Sequence, residues 1–214
     1  MSEQERRPRG RPAQPDEDIR RAVLDSAINV LLEIGYESTT MEAVAAHAGV
    51  AKKTVYRYAA NRQELIGLAV REWTNAYAPA LQASPTSEGS AADVLRGILA
   101  DICAQVLSDS AVRFFRLLTT EFPGKQELLA NYQRNGIERG QQMLATWLAK
   151  QHEMGYLCAP EPARLSEIIL SMAVAEPLRQ MALGVRPSLP MGNVTAHLDA
   201  CMDVLSRLSR APGS

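Results

Sequence analysis

Cysteine is scarce in this chain: 3 in 214 residues, Cys103, Cys158 and Cys201, with no CxxC spacing. An odd, scattered set argues against a disulfide framework and suits a reducing cytoplasmic setting. Cys103 and Cys201 fall on apolar stripes and are expected as buried hydrophobes. Long apolar runs are also missing. No stretch approaches the ~18 residues needed to cross a bilayer, so no membrane span is expected. His47, His152 and His197 are dispersed, with no glycine-rich phosphate loop, nucleophile elbow or paired-histidine motif. No catalytic constellation, cofactor or metal site is expected, and an enzyme is disfavoured. Finally, charge is almost balanced, at −1. That balance at first argues against a nucleic-acid partner.

The distribution of charge reverses this argument. Residues 49 to 71 carry Lys52, Lys53, Arg57, Arg62 and Arg71 against Glu64 alone, while residues 72 to 214 hold more acids than bases. A basic face on a mildly acidic body is the electrostatic footprint of a nucleic-acid binder. With 46% hydrophobic residues the chain can build a real core.

The basic stretch has a definite local pattern. Thr39-x-x-Glu42 reads as a capping box opening a short helix at Thr39 or Thr40, with Val44, Ala45 and Ala48 as its apolar stripe. Gly49 suits the positive φ that stops it. A second short helix runs from about Ala51 to Tyr58, with Val55 its one strongly apolar member. Lys52, Lys53, Thr54, Tyr56, Arg57 and Tyr58 must therefore face outward, offering donors to phosphates and base edges. Asn61-x-x-Glu64 caps a third element, with Arg62 at its N-terminus as a further phosphate contact. Before them, Ile19, Ala22, Val23, Ser26, Ala27, Val30, Leu31 and Ile34 mark a long amphipathic helix closed by Gly35. Three helices in this order make a minimal helix-turn-helix module.

The amino-terminal arm, Arg6-Arg7-Pro8-Arg9-Gly10-Arg11-Pro12, is a second basic signal. Its prolines favour extended chain, and the Pro-Arg-Gly-Arg-Pro core resembles AT-hook motifs. Arg9 and Arg11 are expected in a narrow minor groove; a solvated basic tail is the plainer alternative. No apolar segment of the signal-peptide kind follows.

Residues 18 to 78 resemble the DNA-binding domain of the TetR family of bacterial transcriptional regulators. The resemblance rests on Ala27 to Tyr36, Thr39-Thr40-Met41, Ala45-Ala46-His47-Ala48-Gly49-Val50, Lys53-Thr54-Val55-Tyr56-Arg57-Tyr58 and Asn61-Arg62-Gln63-Glu64-Leu65. It implies operator contacts at Lys52, Lys53, Thr54, Tyr56, Tyr58 and Arg62 and at the threonine opening the second helix. Two residues depart from the family pattern. Ala51 replaces a capping serine, a loss of ~1 kcal/mol, and Ala59 replaces a common phenylalanine.

The rest of the chain reads as helices only, so an all-α fold of about nine helices is expected. It divides into a disordered basic arm (1–17), a helix-turn-helix domain (18–78) and an effector-binding and dimerisation domain (79–214). Helix 4 is expected over Asn61 to Ala83, followed by a linker SPTSEGS, and Pro177 should kink the helix Ala163 to Leu183. The resemblance implies an effector pocket within helices 4 to 7. Its candidate lining residues, Trp73, Tyr77, Cys103, Phe114, Leu118, Tyr132, Met143 and Trp147, suit an adaptable apolar cavity. The last two helices are apolar over wide arcs, which leaves one face seeking a partner. Ile169, Met172, Leu198, Met202 and Leu205 are the candidates for a homodimer interface, as the resemblance also implies; both faces serving as internal core is the alternative. The leading expectation is a dimeric, cytoplasmic repressor of a pseudo-palindromic double-stranded operator, released by a small, largely apolar effector. A DNA-binding protein without an effector is the runner-up.

Overall fold

The first helix, α1 (Asp16–Ser38), opens on three acids, Asp16, Glu17 and Asp18, which favour the positive end of its dipole. It starts two residues earlier than the division at 17/18 anticipated. The structure is a computed structural model and describes residues 15–85, 90–120, 125–189 and 193–208. Arg9, Arg11 and most of the linker at 84–90 lie outside them. Gly35 breaks α1 with φ 80°, ψ 170°, as its expected closing role requires. Then come α2 (Met41–His47) and α3 (Lys52–Tyr58), joined through Gly49 at φ 67°, and α4 (Arg62–Asn75). The fourth helix is shorter than its pattern suggested. Pro79 lacks an N–H and disfavours helical backbone at Ala78, so the chain leaves α4 through turns and a 3-10 segment at Ala80–Gln82.

The body comprises α5 (Ala91–Val106), α6 (Asp109–Leu118), α7 (Lys125–Tyr132), α8 (Arg139–Glu153), α9 (Pro162–Leu170), α10 (Glu176–Ala182) and α11 (Thr195–Leu208). Ser90 and Asp93 form the anticipated capping box on α5. Two joins are continuous through π turns: Gln133–Glu138 unites α7 with α8, and Ser171–Ala175 unites α9 with α10. Nine rods result, and no strand occurs among the described residues.

Pro177 explains the second π turn. Its missing N–H deprives Ala173 of an i→i−4 partner and Met172 of an i→i−5 partner. Both carbonyls are served from neighbouring helices. The Cys103 thiol donates to Ala173 O at 3.5 Å, and His197 Nε2 lies 2.8 Å from Met172 O, a contact that needs its proton on Nε2. The expected kink therefore takes the form of a wide turn locked to α5 and α11.

Two apolar clusters form the core. One joins α1 to α4 and also takes in Phe114 and Leu118 of α6 and Leu128 of α7. The other joins α5 with α8 to α11. Side chains from α6 and α7 thus belong to the core of the amino-terminal head. Polar ties reinforce this: Arg113 Nη2 donates to Leu32 O at 3.0 Å, and Asn131 Nδ2 donates to Gln63 O at 3.2 Å. Gly67 allows the close approach of α7, since a Cβ there would lie 3.1 Å from Asn131 Oδ1.

Candidate nucleic-acid interface and effector cavity

The α2–α3 pair is positioned by very few apolar atoms. Val55, wholly buried, is the only core residue inside α3, flanked by buried Ala59. Everything else on the helix turns toward solvent or sits at its margin. Tyr56 is 45% exposed, Lys52, Lys53 and Arg57 are exposed, and Thr54 and Tyr58 are half-buried. Ala51 caps α3 without a side-chain hydrogen bond, as its replacement of a capping residue predicted.

Two of the three cations are already paired. Lys52 bridges to Glu42 on α2, which lowers the Glu42 pKa chiefly through that hydrogen bond. Arg57 donates to Asp16 and to the Tyr58 hydroxyl, and Tyr58 donates to Asp16 Oδ1 at 2.9 Å. Solvent screens exposed pairs of this kind, so they hold the two cations only weakly. Asp16 and Glu42 were not among the sequence candidates. Only their placement in space brings these two carboxylates to the cations of α3. Lys53 has no ion-pair partner among the described residues.

Two sequence candidates sit away from this face. Thr39 is 0% exposed, and its hydroxyl donates to Gly35 O at 2.7 Å, closing the broken end of α1. The helix cap is Thr40, exposed, whose Oγ1 accepts from Ala43 N at 3.1 Å. Arg62 is likewise turned inward. Its Nη1 donates to the carbonyls of Tyr36 at 2.7 Å and Glu37 at 3.1 Å, and its guanidinium lies 4.2 Å from the Tyr36 ring centroid. Orphan carbonyls at the break in α1 attract this cation more directly than a distant phosphate can. Arg62, expected as a phosphate contact, is thus held by the end of α1.

α4 runs from that junction into the body. Asn61 caps it by accepting from Glu64 N at 2.9 Å, while Glu64 accepts from Ala60 N at 2.7 Å. Its later turns wall a cavity of about 220 Å³ that also touches α5, α6 and both π turns. Of the pocket candidates, Trp73, Tyr77, Phe114 and Tyr132 line it. Cys103, Leu118, Met143 and Trp147 do not. Cys103 is tied to Ala173, Leu118 packs in the head core, Met143 packs against the second cluster, and Trp147 Nε1 donates to Ala83 O at 2.8 Å. Sequence reasoning missed Val70, Phe115, Gly136, Ile137 and Val174, together with the neutral polar groups Thr74, Gln105, Gln141 and Ser171. Burial pushes the Tyr77 and Tyr132 phenols each up to about 12.

The candidates for a homodimer interface differ in burial within the chain. Ile169 and Leu198 are buried within the chain, and Met172, Met202 and Leu205 are half-buried. Ile168, at 47% exposed, and Val204, at 46%, project outward, with exposed Ala196 and Ala200 on the same stripe as Val204. Among the described residues no cluster could hold a metal ion, and no helix is long and apolar enough to cross a membrane.

Comparison with known proteins agrees with this geometry. Residues 23–68 match the profile of bacterial regulatory proteins of the tetR family. Residues 93–208, more than half of the chain, match the profile of the AefR-like transcriptional repressor C-terminal domain. A Bacillus subtilis (strain 168) protein described as uncharacterized HTH-type transcriptional regulator YdeS is 38% identical over 58 residues, 27% of this chain and 28% of that protein. The match to that curated relative thus spans less than a third of its length. Among solved structures, a putative TetR-family transcriptional regulator from Mesorhizobium loti MAFF303099 superimposes with a TM-score of 0.71 at 17% identity, over 92% of this chain and 98% of that one. The flavonoid-responsive regulator FrrA does so with a TM-score of 0.67 at 20% identity, over 92% and 100%. At these identities the structural likeness concerns the fold.

Proposed function

The chain belongs to the TetR family of bacterial regulatory proteins, and from that premise we propose a homodimeric repressor released from its operator by a small, largely apolar effector. The observation that carries the reading is the course of α4. Its capped start at Asn61 adjoins α3, and its Trp73, with Tyr77 in the turn just beyond its end, walls the cavity, so α4 connects the DNA-facing helix to the ligand chamber.

On this reading Lys53, Tyr56 and Thr54 meet the operator first, with Thr40 at the start of α2. Lys52, Arg57 and Tyr58 join by exchanging Glu42 and Asp16 for phosphate. Residues 18–78 serve as the DNA-binding unit and 79–214 as the effector and dimer unit, with Arg9 and Arg11 reaching the minor groove. Ile168 and Val204, with half-buried Met172, Met202 and Leu205 beside them, form the dimer face. Two heads related by a twofold then address half-sites ~34–36 Å apart on a pseudo-palindrome. The protein works in the cytoplasm without enzymatic activity or cofactor. An effector acts only through differential affinity; ~100-fold release needs about 2.7 kcal/mol.

The test is operator binding by the full chain with and without a panel of hydrophobic small molecules, read beside thermal shift. A compound that raises the unfolding midpoint and lowers operator affinity supports the reading. Compounds that stabilise the protein while leaving operator affinity unchanged favour a DNA-binding protein without an effector. Trp73→Ala should impair induction more than operator affinity; loss of DNA binding with ligand response retained would place Trp73 outside the switch.

A further inference from the structure

The cavity walls carry no Lys, Arg, His, Asp or Glu among the described residues. Cations are close by, yet each is engaged elsewhere. Arg139 Nε donates to Asn75 Oδ1 at 2.7 Å, Arg113 donates to Leu32 O, and Arg116 donates to Met181 and Ala182 carbonyls at 3.2 and 2.9 Å. Among the described residues the ionisable groups lining the chamber are Tyr77 and Tyr132, phenols that are neutral at physiological pH and that burial pushes further up, each to about 12.

The remaining wall chemistry is of two kinds. Rings make the first: Trp73 meets Phe114 edge-on at 6.0 Å, Phe114 meets Tyr132 at 5.9 Å, and Phe115 meets Tyr132 at 6.3 Å. Neutral amides make the second. Gln105 and Gln141 line the chamber, and neither side chain has a hydrogen-bond partner among the described residues. Each amide offers donors and an acceptor. At about 220 Å³ the space is below the ~300–1,000 Å³ usual for drug-sized ligands.

Building on the effector reading above, we infer that the cavity selects a small, uncharged ring compound bearing one amide-, hydroxyl- or carbonyl-type group, and rejects carboxylates and phosphate-bearing molecules of the same shape. An anion entering these walls loses its hydration and meets no counter-charge. A neutral polar group loses less hydration and recovers hydrogen bonds from Gln105 and Gln141.

The experiment titrates three isosteric probes into the full chain by calorimetry: 2-naphthamide, 2-naphthoate and 2-naphthylmethylammonium. 2-Naphthamide should bind at least about 100-fold more tightly than 2-naphthoate, the size expected of an unpaired buried charge, and more tightly than the ammonium. Gln141→Arg should supply the missing counter-charge and bring 2-naphthoate to equal or better affinity than the amide. Gly140→Ala locates the site. Its new Cβ would lie 2.6 Å from the Tyr77 hydroxyl, displacing that ring, so amide affinity should fall at least about 10-fold with helicity unchanged. Equal or tighter binding of 2-naphthoate or the ammonium by the unaltered chain overturns the inference. So does failure of all three to bind, or unchanged amide affinity in Gly140→Ala. The effector reading fails separately: amide binding that leaves the operator complex intact refutes that reading and leaves the ligand class standing. Preference for 2-naphthoate accompanied by operator release does the reverse.

Discussion

Replacing Arg62 with alanine separates two roles that a basic residue beside a recognition helix can play. The guanidinium gives two good hydrogen bonds to the Tyr36 and Glu37 carbonyls and stacks on the Tyr36 ring. A hydrogen bond from a charged donor contributes about 1.5–3 kcal/mol net, and the stacked cation about 0.5–1 kcal/mol. The released carbonyls are near solvent and regain water, so the total loss should be about 2–3 kcal/mol. For a chain of this size that lowers the unfolding midpoint by about 4–12 °C. Operator affinity should fall as well, because the end of α1 and the start of α4 lose their common anchor. The slope of log K against log salt should stay the same, since no phosphate contact is removed; a contacting cation would take ~0.9 off the slope per protomer. Arg62→Lys should restore only part of the stability, because an ammonium that takes over the two carbonyl bonds gives up the planar stacking on the Tyr36 ring. Thermal unfolding by circular dichroism and operator titrations between 50 and 200 mM salt, conditions over which phosphate-contacting proteins vary strongly, decide the matter. An unchanged midpoint with a slope reduced by ~0.9 would refute the positioning role and return Arg62 to the DNA face.

Lys53→Ala should do the opposite: an unchanged midpoint, weaker operator binding and a slope lowered by ~0.9 per protomer, with an unchanged slope removing α3 from the backbone. Val204→Asp should yield monomers by sedimentation with helicity retained. Leu198→Ala should cost about 2–5 kcal/mol of stability while leaving dimers, and the reverse pattern would restore Leu198 to the interface. Burial holds the Cys103 thiol at about 12 and pushes Cys201 upward, so both stay protonated and unreactive at neutral pH. A thiol reagent should therefore label exposed Cys158 rapidly and the other two only on unfolding; fast labelling of all three would show that α5 and α11 open readily.

The parts legible from sequence are those in which local chemistry has one solution. The Gly35 and Gly49 breaks, the Ser90–Asp93 box and the lone buried Val55 of α3 follow from residue type and spacing. Where two neighbouring residues satisfy one rule, the choice is made elsewhere in the chain. Thr39 and Thr40 both suit an N-cap; the break at Gly35 exposes a carbonyl that takes the Thr39 hydroxyl and leaves Thr40 to cap. Arg62 suits both phosphate and carbonyl, and the nearer acceptors win. The amides of Gln105 and Gln141 give no signal along the chain, because nothing local distinguishes a polar residue facing a cavity from one facing solvent.

The π turns supply several cavity residues that side-chain chemistry alone does not point to. Leu128, Tyr132, Gly136, Gly140, Leu144 and Leu148 recur at intervals of four, and all are buried or half-buried. On a regular helix such a stripe would drift by about 40° per step. The wider turn at Gln133–Glu138 absorbs part of that drift and lets one face of α7 and α8 stay inward across the join. Met143 and Trp147 were expected in the cavity for their sulfur and aromatic surface and do not line it, whereas Gly136 and Gln141, which carry no such surface, do. The same geometry bears on function. Gly136 and Ile137 from one π turn and Ser171, Val174 and Ala175 from the other border the chamber, and one of the two turns exists because Pro177 withholds a proton from Met172 and Ala173. Cavity shape is therefore coupled to the contacts of Cys103 and His197 that hold that second turn open. α5, which bears Cys103, lines the chamber, and α11, which bears His197, carries Val204 on its outer face.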